Sequence, residues 1–384
     1  MDPSSRCVTN RKLVGFLIAL GNGGNGFFHI YKPFDFVGPE DKDRIAIRSI
    51  YGHRSEFPVT LFLYYFFHSI CASRHRQANN ANFEEFGSFA YSFAMDFKVD
   101  PINAPCGARI TGVDLATELN AATYAAIHQA WLDHQVLVFP DTEMTEEDQI
   151  RFTKHWGEMP LRRRYAGRRE EGRRSHESIM LISNIRENGE PIGSLPDGDM
   201  MFHSDGQYDE HPYRYTMLYA LEVPSSGGNT LFANLYKAYE ILPADLKERL
   251  RYVEAQHGYY AGRHVTPEIL KSLSIERVSD NWAHPVFTSH EETSRTVLYV
   301  SRLLTQALRG LSEDEGDDIL DQLLDHVEKP ELVYEHVWLP GDFVIWDNRC
   351  LNHARTDFSA GETRLLRRTT VQGVRPDAAI AAVR

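Results

Sequence analysis

The sequence predicts a mainly β protein with flanking helices and a jelly-roll or barrel core. Three observations predict it. From residue 179 onward, short runs rich in β-branched and aromatic residues recur between turn signals. Helical patterns are few, and they lie between or outside these runs, apart from one long insertion. The composition, 42% hydrophobic and 25% charged, is that of an ordinary globular chain. A length of 384 residues suits one large domain or two smaller ones.

Charge and cysteine usage narrow the class. A formal net charge of −13 argues against a general nucleic-acid binder. Cys7, Cys71, Cys106 and Cys350 are scattered without paired spacing. That pattern reads as a reducing, cytoplasmic compartment with no disulfide framework. No stretch reaches the length of a membrane span. Leu13 to Leu20 follows Arg11-Lys12 like a signal-peptide core, but Gly21-Asn22-Gly23-Gly24 offers no clear cleavage site. Val59 to Ala72 is aromatic but contains His68, and reads as a buried or unstructured segment.

Residues 1 to 94 differ from the rest, being irregular, Gly/Asn-rich at 21 to 26, and aromatic without periodicity. Two readings stand side by side. Met95 is the functional start and 1 to 94 an extension outside the functional protein, or 1 to 94 is a small accessory domain. The main domain is then expected over 95 to 384.

In order, Phe97 to Val99 and Ala108 to Leu115 read as a strand and a turn. Asn120 caps a helix whose Tyr124, Ile127 and Trp131 share a face. Gln135 to Pro140 is a short buried strand stopped by proline. Thr145 caps a second helix, with Asp148 three residues on as a weakened capping box and Ile150, Phe152 and Trp156 apolar. Seven arginines crowd residues 162 to 174, either as a basic loop near an anion or as a solvated loop. Ile179 to Ile185 is a strand, Asn188-Gly189 a turn, and Pro191 to Met201 a loop leading into His203. Tyr215 to Ala220 and Thr230 to Ala233 are strands flanking a turn at Pro224 to Asn229. Leu235 to Ala255 is expected to be helical, broken once at Pro243. Residues 256 to 300 are mixed, with a strand at Val297 to Val300, and Glu313 to Val327 is an acidic amphipathic helix. Leu332 to Trp338, Phe343 to Trp346 and Leu365 to Val371 complete the strands.

The chemistry gathers around Phe202-His203-Ser204-Asp205. On a strand, His203 and Asp205 leave the same face, because strand side chains alternate. His353 is the best third ligand. It follows the buried strand at Phe343 to Trp346, in a polar turn expected to hold the imidazole at the mouth of the core. Two histidines and one carboxylate with open positions match non-haem iron(II) oxygenases. Arg364 and Arg368 lie eleven and fifteen residues after His353, and on a strand they point the same way. Two arginines turned into a barrel need anionic partners. The alternative is an edge strand with solvated arginines, which the Arg367-Arg368 pair allows for at least one of them. Thr230 can add a hydroxyl to the same anion. A non-redox metal enzyme, or a metal-free binding module on the same barrel, remains an alternative at this point. Cys350 reads as a buried small residue rather than a ligand.

These residues resemble the taurine dioxygenase / 2,4-dichlorophenoxyacetate dioxygenase family of Fe(II)- and 2-oxoglutarate-dependent oxygenases. The resemblance rests on Phe202-His203-Ser204-Asp205, on Pro224 to Phe232, on Trp346-Asp347-Asn348-Arg349 with His353, Arg364 and Arg368, and on Ile110 to Leu115. It spans roughly residues 97 to 373. It implies a double-stranded β-helix (jelly-roll) core. It implies Fe(2+) bound by His203, Asp205 and His353, with 2-oxoglutarate and O2 as cosubstrates. Thr230 and Arg364 would hold the distal carboxylate of 2-oxoglutarate, and Arg368 the acidic group of the substrate. The implied reaction hydroxylates a small anionic substrate, a phenoxy acid, sulfonate or related carboxylate, releasing succinate and CO2. A hydroxyl next to a heteroatom would make the product split. Asp197-Gly198-Asp199-Met200-Met201 departs from the taurine enzyme's approach to its histidine, and Trp346 to Leu351 looks closer to the phenoxyacetate branch. The expected partners are the small anion alone, with no nucleic acid and no membrane, and the chain is free to form a homo-oligomer.

Overall fold

Strand alternation decides the architecture. In a computed structural model, which describes residues 97–160, 176, 178–194, 198–262, 264–272 and 281–379, the central strands of the larger sheet split their side chains between two different cores. All the described residues fall within one unit, Asn79–Arg384. Residues 1 to 94, the boundary at Met95 and the arginine-rich stretch 162 to 174 lie outside the described residues.

β1 (Lys98–Pro101) and β2 (Ala108–Thr111) pair antiparallel. α1 (Ala121–His134) begins where Asn120 accepts a hydrogen bond from Thr123 N, and it buries Tyr124, Ile127 and Trp131. β3 (Val136–Phe139) runs parallel to β2. α2 (Glu146–His155) starts at the expected capping box, with Thr145 and Asp148 bonded reciprocally. β4 (Met180–Ser183) precedes a hairpin of β5 (Arg186–Glu187) and β6 (Glu190–Pro191) around Asn188-Gly189. β7 (Met200–His203), β8 (Tyr213–Glu222) and β9 (Thr230–Asn234) follow.

The helix expected over 235 to 255 is not continuous. α3 (Leu235–Glu240) and α4 (Ala244–Arg249) are separate short helices on either side of Pro243, and Glu254 and Ala255 begin β10 (Glu254–Gly258). Pro243 breaks the helical ladder. Pairing of Ala255 with His284 and Leu308 then overrides local helical preference. The insertion continues with α5 (Pro267–Ser272), β11 (Asn281–Pro285), β12 (Phe287–Ser289), β13 (Thr296–Leu298), β14 (Thr305–Arg309) and α6 (Glu313–Val327). A 3-10 turn at Pro330–Leu332 leads into β15 (Val333–His336) and β16 (Phe343–Asp347). The polar turn expected to carry His353 is shorter than predicted. It ends at Cys350, and His353 sits in the middle of β17 (Leu351–Arg355), because Leu351, Asn352 and Ala354 are buried. β18 (Leu365–Gln372) and β19 (Asp377–Ala378) complete the chain.

One sheet has the order β1-β2-β3-β16-β8-β18-β4, and a second has β15-β9-β17-β7. Val136 and Val138, Leu218 and Ala220, Val344 and Trp346, and Leu366 turn into one core with Phe232 of the second sheet. Their neighbours Leu137, Phe139, Met217, Tyr219, Phe343 and Ile345 turn the other way, onto Ile127, Trp131 and Phe152 of α1 and α2. This is the jelly roll with outer helices that the sequence predicts. β18 is not an edge strand: it lies between β8 and β4, so the solvated-arginine alternative fails. Arg367 is buried beneath α2, donating to Met144 O and lying 4.6 Å over the Tyr219 ring. Among the described residues, no helix is long and apolar enough to cross a membrane.

The Thr145 cap is a separable part of this packing. Thr145→Ala removes the hydroxyl that accepts from Asp148 N, while the backbone N–H of residue 145 still donates to Asp148, and should cost about 1 kcal/mol. A urea unfolding midpoint unchanged from wild type would contradict it.

Candidate functional site

The site forms where β7 and β17 of the second sheet meet β8 of the first. His203 closes β7 and stands directly across from His353 on β17, with ring centroids 4.2 Å apart. Asp205 reaches them by a different route from the one the sequence suggests. β7 ends at His203, so pleat alternation does not carry Asp205. A tight turn does: Gln207 N donates to Ser204 O, and Gly206 adopts φ +73°. A Cβ at Gly206 would stand 3.1 Å from Tyr213 N, so glycine lets the turn close against β8. Asp205 Oδ1 then lies 3.9 Å from His203 Nε2, and Oδ2 lies 3.9 Å from His353 Nε2. The three ligand atoms are within 4.8 Å of one another.

The electrostatics suit a cation there. His203 Nδ1 lies 3.0 Å from Met201 O, which fixes the proton on Nδ1 and frees the Nε2 lone pair. Burial pushes both imidazoles below their ordinary range, His353 further because His203 stands beside it. Burial alone would raise Asp205, but Arg368, then His353 and His203, then the Thr216 hydroxyl hold it well below the usual carboxylate range. Two neutral imidazoles and one anionic carboxylate, with their ligand atoms gathered together, form a donor set that fits a borderline divalent metal.

The two arginines occupy adjoining corners. Arg368 NH2 reaches Asp205 Oδ2 at 2.6 Å. Arg364 is 2% exposed, and no carboxylate among the described residues pairs with it. Its backbone N donates to Asn184 Oδ1 and its Nε to Gly228 O at 3.1 Å. Burial, with the Arg355 guanidinium alongside, pulls Arg364 down to about 9. A buried cation so destabilised calls for an anion. Gly228 makes room for the arginine: at φ +65°, a Cβ there would stand 3.3 Å from Arg364 Cδ and Nε. Thr230, two residues on, accepts from Trp338 Nε1 at 3.0 Å, so its own hydroxyl hydrogen remains to donate. A guanidinium, a hydroxyl and a missing Cβ make a cradle that fits a carboxylate.

Sequence reasoning missed four contributors. Trp338 orients Thr230. Arg355, two residues after His353 on the same strand, donates to Gly198 O just ahead of β7. Strand parity was the available signal for Arg355. Thr216 and Asn348 stand behind Asp205, Thr216 Oγ1 donating to Asp205 Oδ2 at 2.6 Å.

A second cluster, His290, Asp347 and Cys350, also brings its ligand atoms within 4.8 Å. It is already filled. Arg349 spans both oxygens of Asp347, with Nε 2.9 Å from Oδ1 and NH2 3.0 Å from Oδ2, and His290 Nε2 lies 2.8 Å from Oδ2. Burial, then Asp347, pushes the Cys350 thiol far up, as befits the buried small residue expected. Arg349 also meets Glu291 and Glu292, which hold Arg214. Glu292 further pairs with His128 of α1. This network ties the turn before β17 to α1 and β8.

The family model described as "Taurine catabolism dioxygenase TauD, TfdA family" matches residues 98–370. The chain is 32% identical over 292 residues to the (S)-phenoxypropionate/alpha-ketoglutarate-dioxygenase of Sphingobium herbicidovorans, covering 72% of this chain and 95% of that protein. It is 34% identical over 292 residues to the pentalenolactone F synthase of Streptomyces avermitilis, covering 72% and 94%. Among solved structures, a taurine dioxygenase from Burkholderia xenovorans superposes with a TM-score of 0.60 at 27% identity, covering 73% of this chain and 91% of that one.

Removing the cation of the Asp347 network leaves its carboxylate buried and unpaired on one side. Arg349→Met should therefore destabilise the fold by about 3–5 kcal/mol. Chemical denaturation that shows less than about 1 kcal/mol, roughly the worth of an exposed pair, would refute the buried-network reading.

Proposed function

The chain belongs to the TauD, TfdA family of taurine catabolism dioxygenases, and from that premise we propose how its residues share the work of an iron(II)- and 2-oxoglutarate-dependent dioxygenase that hydroxylates a small organic anion. His203, Asp205 and His353 hold the iron. Arg364 and Thr230 hold the distal carboxylate of 2-oxoglutarate. Arg368 receives the acidic group of the substrate. Membership in the family retires the alternatives of a non-redox metal enzyme and a metal-free module. The observation that carries the division of roles is the buried, carboxylate-free Arg364 beside Gly228, set apart from an Arg368 that already touches Asp205. We assign the catalytic domain to residues 95–384 and treat 1–94 as an extension; a family match starting at residue 98 supports this. Cys106 and Cys350 are free and buried, which supports a reducing, cytoplasmic compartment.

When bound, iron(II) with 2-oxoglutarate supplies the oxidising chemistry that places one oxygen atom of O2 on a substrate carbon and releases succinate and CO2. The chain's own residues bind and orient. His203 offers Nε2 because Met201 O keeps the proton on Nδ1. Arg364 presents its guanidinium from beneath Gly228, and Thr230 donates its hydroxyl, so the dicarboxylate is gripped at the end away from the metal. Arg368, four residues further along and in contact with Asp205, orients an anion so that its carbon skeleton faces the three ligands. Arg355 holds Gly198, which fixes the chain just ahead of β7. For the substrate we favour a phenoxy acid or related carboxylate over taurine, on the similarity to the phenoxypropionate enzyme and on the Asp197 to Met201 sequence.

Anaerobic addition of iron(II) and 2-oxoglutarate should raise the visible charge-transfer band of the chelate, lost in Asp205→Ala and kept in Cys350→Ala. Absence of the band from folded wild-type protein would sink the proposal. Arg364→Ala should weaken 2-oxoglutarate by about 100-fold, the loss expected when one partner of a buried charge pair is cut away. Arg368→Ala should lower primary-substrate turnover more than 2-oxoglutarate binding, and the reverse ranking would refute the split between the two arginines. A screen of phenoxy acids, sulfonates and carboxylates for stimulated succinate release identifies the substrate class.

A further inference from the structure

Behind Asp205 runs a chain of buried hydrogen bonds with only one possible direction. The Trp346 indole Nε1 donates to Asn348 Oδ1 at 2.9 Å. Indole can only donate, so the amide oxygen of Asn348 must face it. The Asn348 amide nitrogen is thereby turned to Thr216 Oγ1, at 2.9 Å. That amide donates, so Thr216 accepts there, and its single hydroxyl hydrogen is directed at Asp205 Oδ2, at 2.6 Å. Trp346, Asn348 and Thr216 are each 1% exposed or less, so water does not compete for any of these bonds.

Asn348 is itself pinned. Ser204 Oγ donates to its carbonyl at 2.5 Å, and its backbone N donates to Arg214 O. Ser204 is the residue between His203 and Asp205, so the relay grips the metal motif twice. Trp346 also packs 4.9 Å from the His353 ring. One indole thus steadies one proposed ligand by contact and another through three hydrogen bonds in series.

We propose that Thr216 is a positioning residue for the metal carboxylate: held in one hydroxyl orientation by Asn348 and Trp346, it occupies Asp205 Oδ2 and leaves Oδ1 to the iron. This rests on the assignment of Asp205 as a ligand made above. Arg368 shares Oδ2, but its side chain is 17% exposed and can turn toward a bound anion, whereas Thr216 is enclosed. Thr216 therefore sets the carboxylate orientation that persists when Arg368 turns. Without it, Asp205 can rotate and offer both oxygens, filling a position that the cosubstrate or O2 needs.

The test is metal affinity in the full chain, with cobalt(II) alone as the probe and iron(II) with 2-oxoglutarate as a second readout. Thr216→Val keeps the shape and removes the hydroxyl. It should bind cobalt(II) about 10- to 100-fold more weakly than wild type, the usual loss when a partner orienting a ligand is removed. It should also shift or broaden the charge-transfer band, and lower the thermal stability of the metal-free protein, because the Asn348 amide and Asp205 Oδ2 each lose a buried partner. Thr216→Ser restores the hydroxyl and should restore both readouts. Thr216→Val with wild-type cobalt affinity and an unshifted band overturns the proposal. So does Thr216→Ser that behaves like Thr216→Val. If Thr216→Val fails to fold, Thr216→Ala, which adds no bulk, takes its place: weakened cobalt binding with an altered band supports the proposal, and wild-type behaviour in both overturns it. Wild-type protein that binds no cobalt(II) would instead defeat the ligand assignment itself, so the two failures are told apart.

Discussion

A carboxylate that is 7% exposed has to be kept ionised, and the site is built around that requirement. Desolvating Asp205 is unfavourable by itself. The cation of Arg368, the hydroxyl of Thr216 and two imidazoles offset it. Those groups come from β18, β8, β7 and β17, which belong to two different sheets. The sheets must therefore meet in one register for the charge to be tolerated. Hydrophobic alternation enforces that register from the other side, since a slip of one residue in β8 would send Leu218 and Ala220 outward with Thr216.

β18 and the residue just before it carry three arginines that resolve burial in three ways. Arg368 finds a carboxylate within the protein. Arg367, facing the helices, uses the Met144 carbonyl and the face of Tyr219. Arg364 finds only a backbone carbonyl and another guanidinium, and of the three it alone is left short of negative charge. The contrast between neighbours makes Arg364 informative, because the same strand accommodates a buried arginine at position 367 where no ligand is to be held.

Much of this was legible in the sequence, and the failures have physical causes. His203, Asp205 and His353 could be picked out by residue type. The inward direction of Arg364 and Arg368 followed from strand parity. The Thr145 capping box was readable because it is local. Local propensity favours a helix over 235 to 255, but Pro243 and the long-range pairing of Ala255 outweigh it. β17 resembles a turn in sequence because Asn352, His353 and Arg355 look polar, yet Asn352 is buried with its amide on Val300 O. Polar residues inside a barrel imitate a loop. Thr216 carried no sequence signal and Asn348 only a place in a resembling run, since their meaning lies in each other's position 132 residues away.

The place of β18 bears on how the chain is made. It is the last long strand in the sequence, yet it sits inside the seven-stranded sheet, between β8 and β4. Until it arrives, β8 and β4 are separate and each presents an open edge. A ribosome that has delivered everything through β17 has made all three proposed iron ligands without the strand that neutralises one of them. Closure must then wait for pairings of high sequence separation, which form slowly. During that wait, the unpaired edges are the segments most exposed to other chains. Neutralisation of Asp205 by Arg368 and closure of the open edges thus become the same late event in the life of the nascent polypeptide.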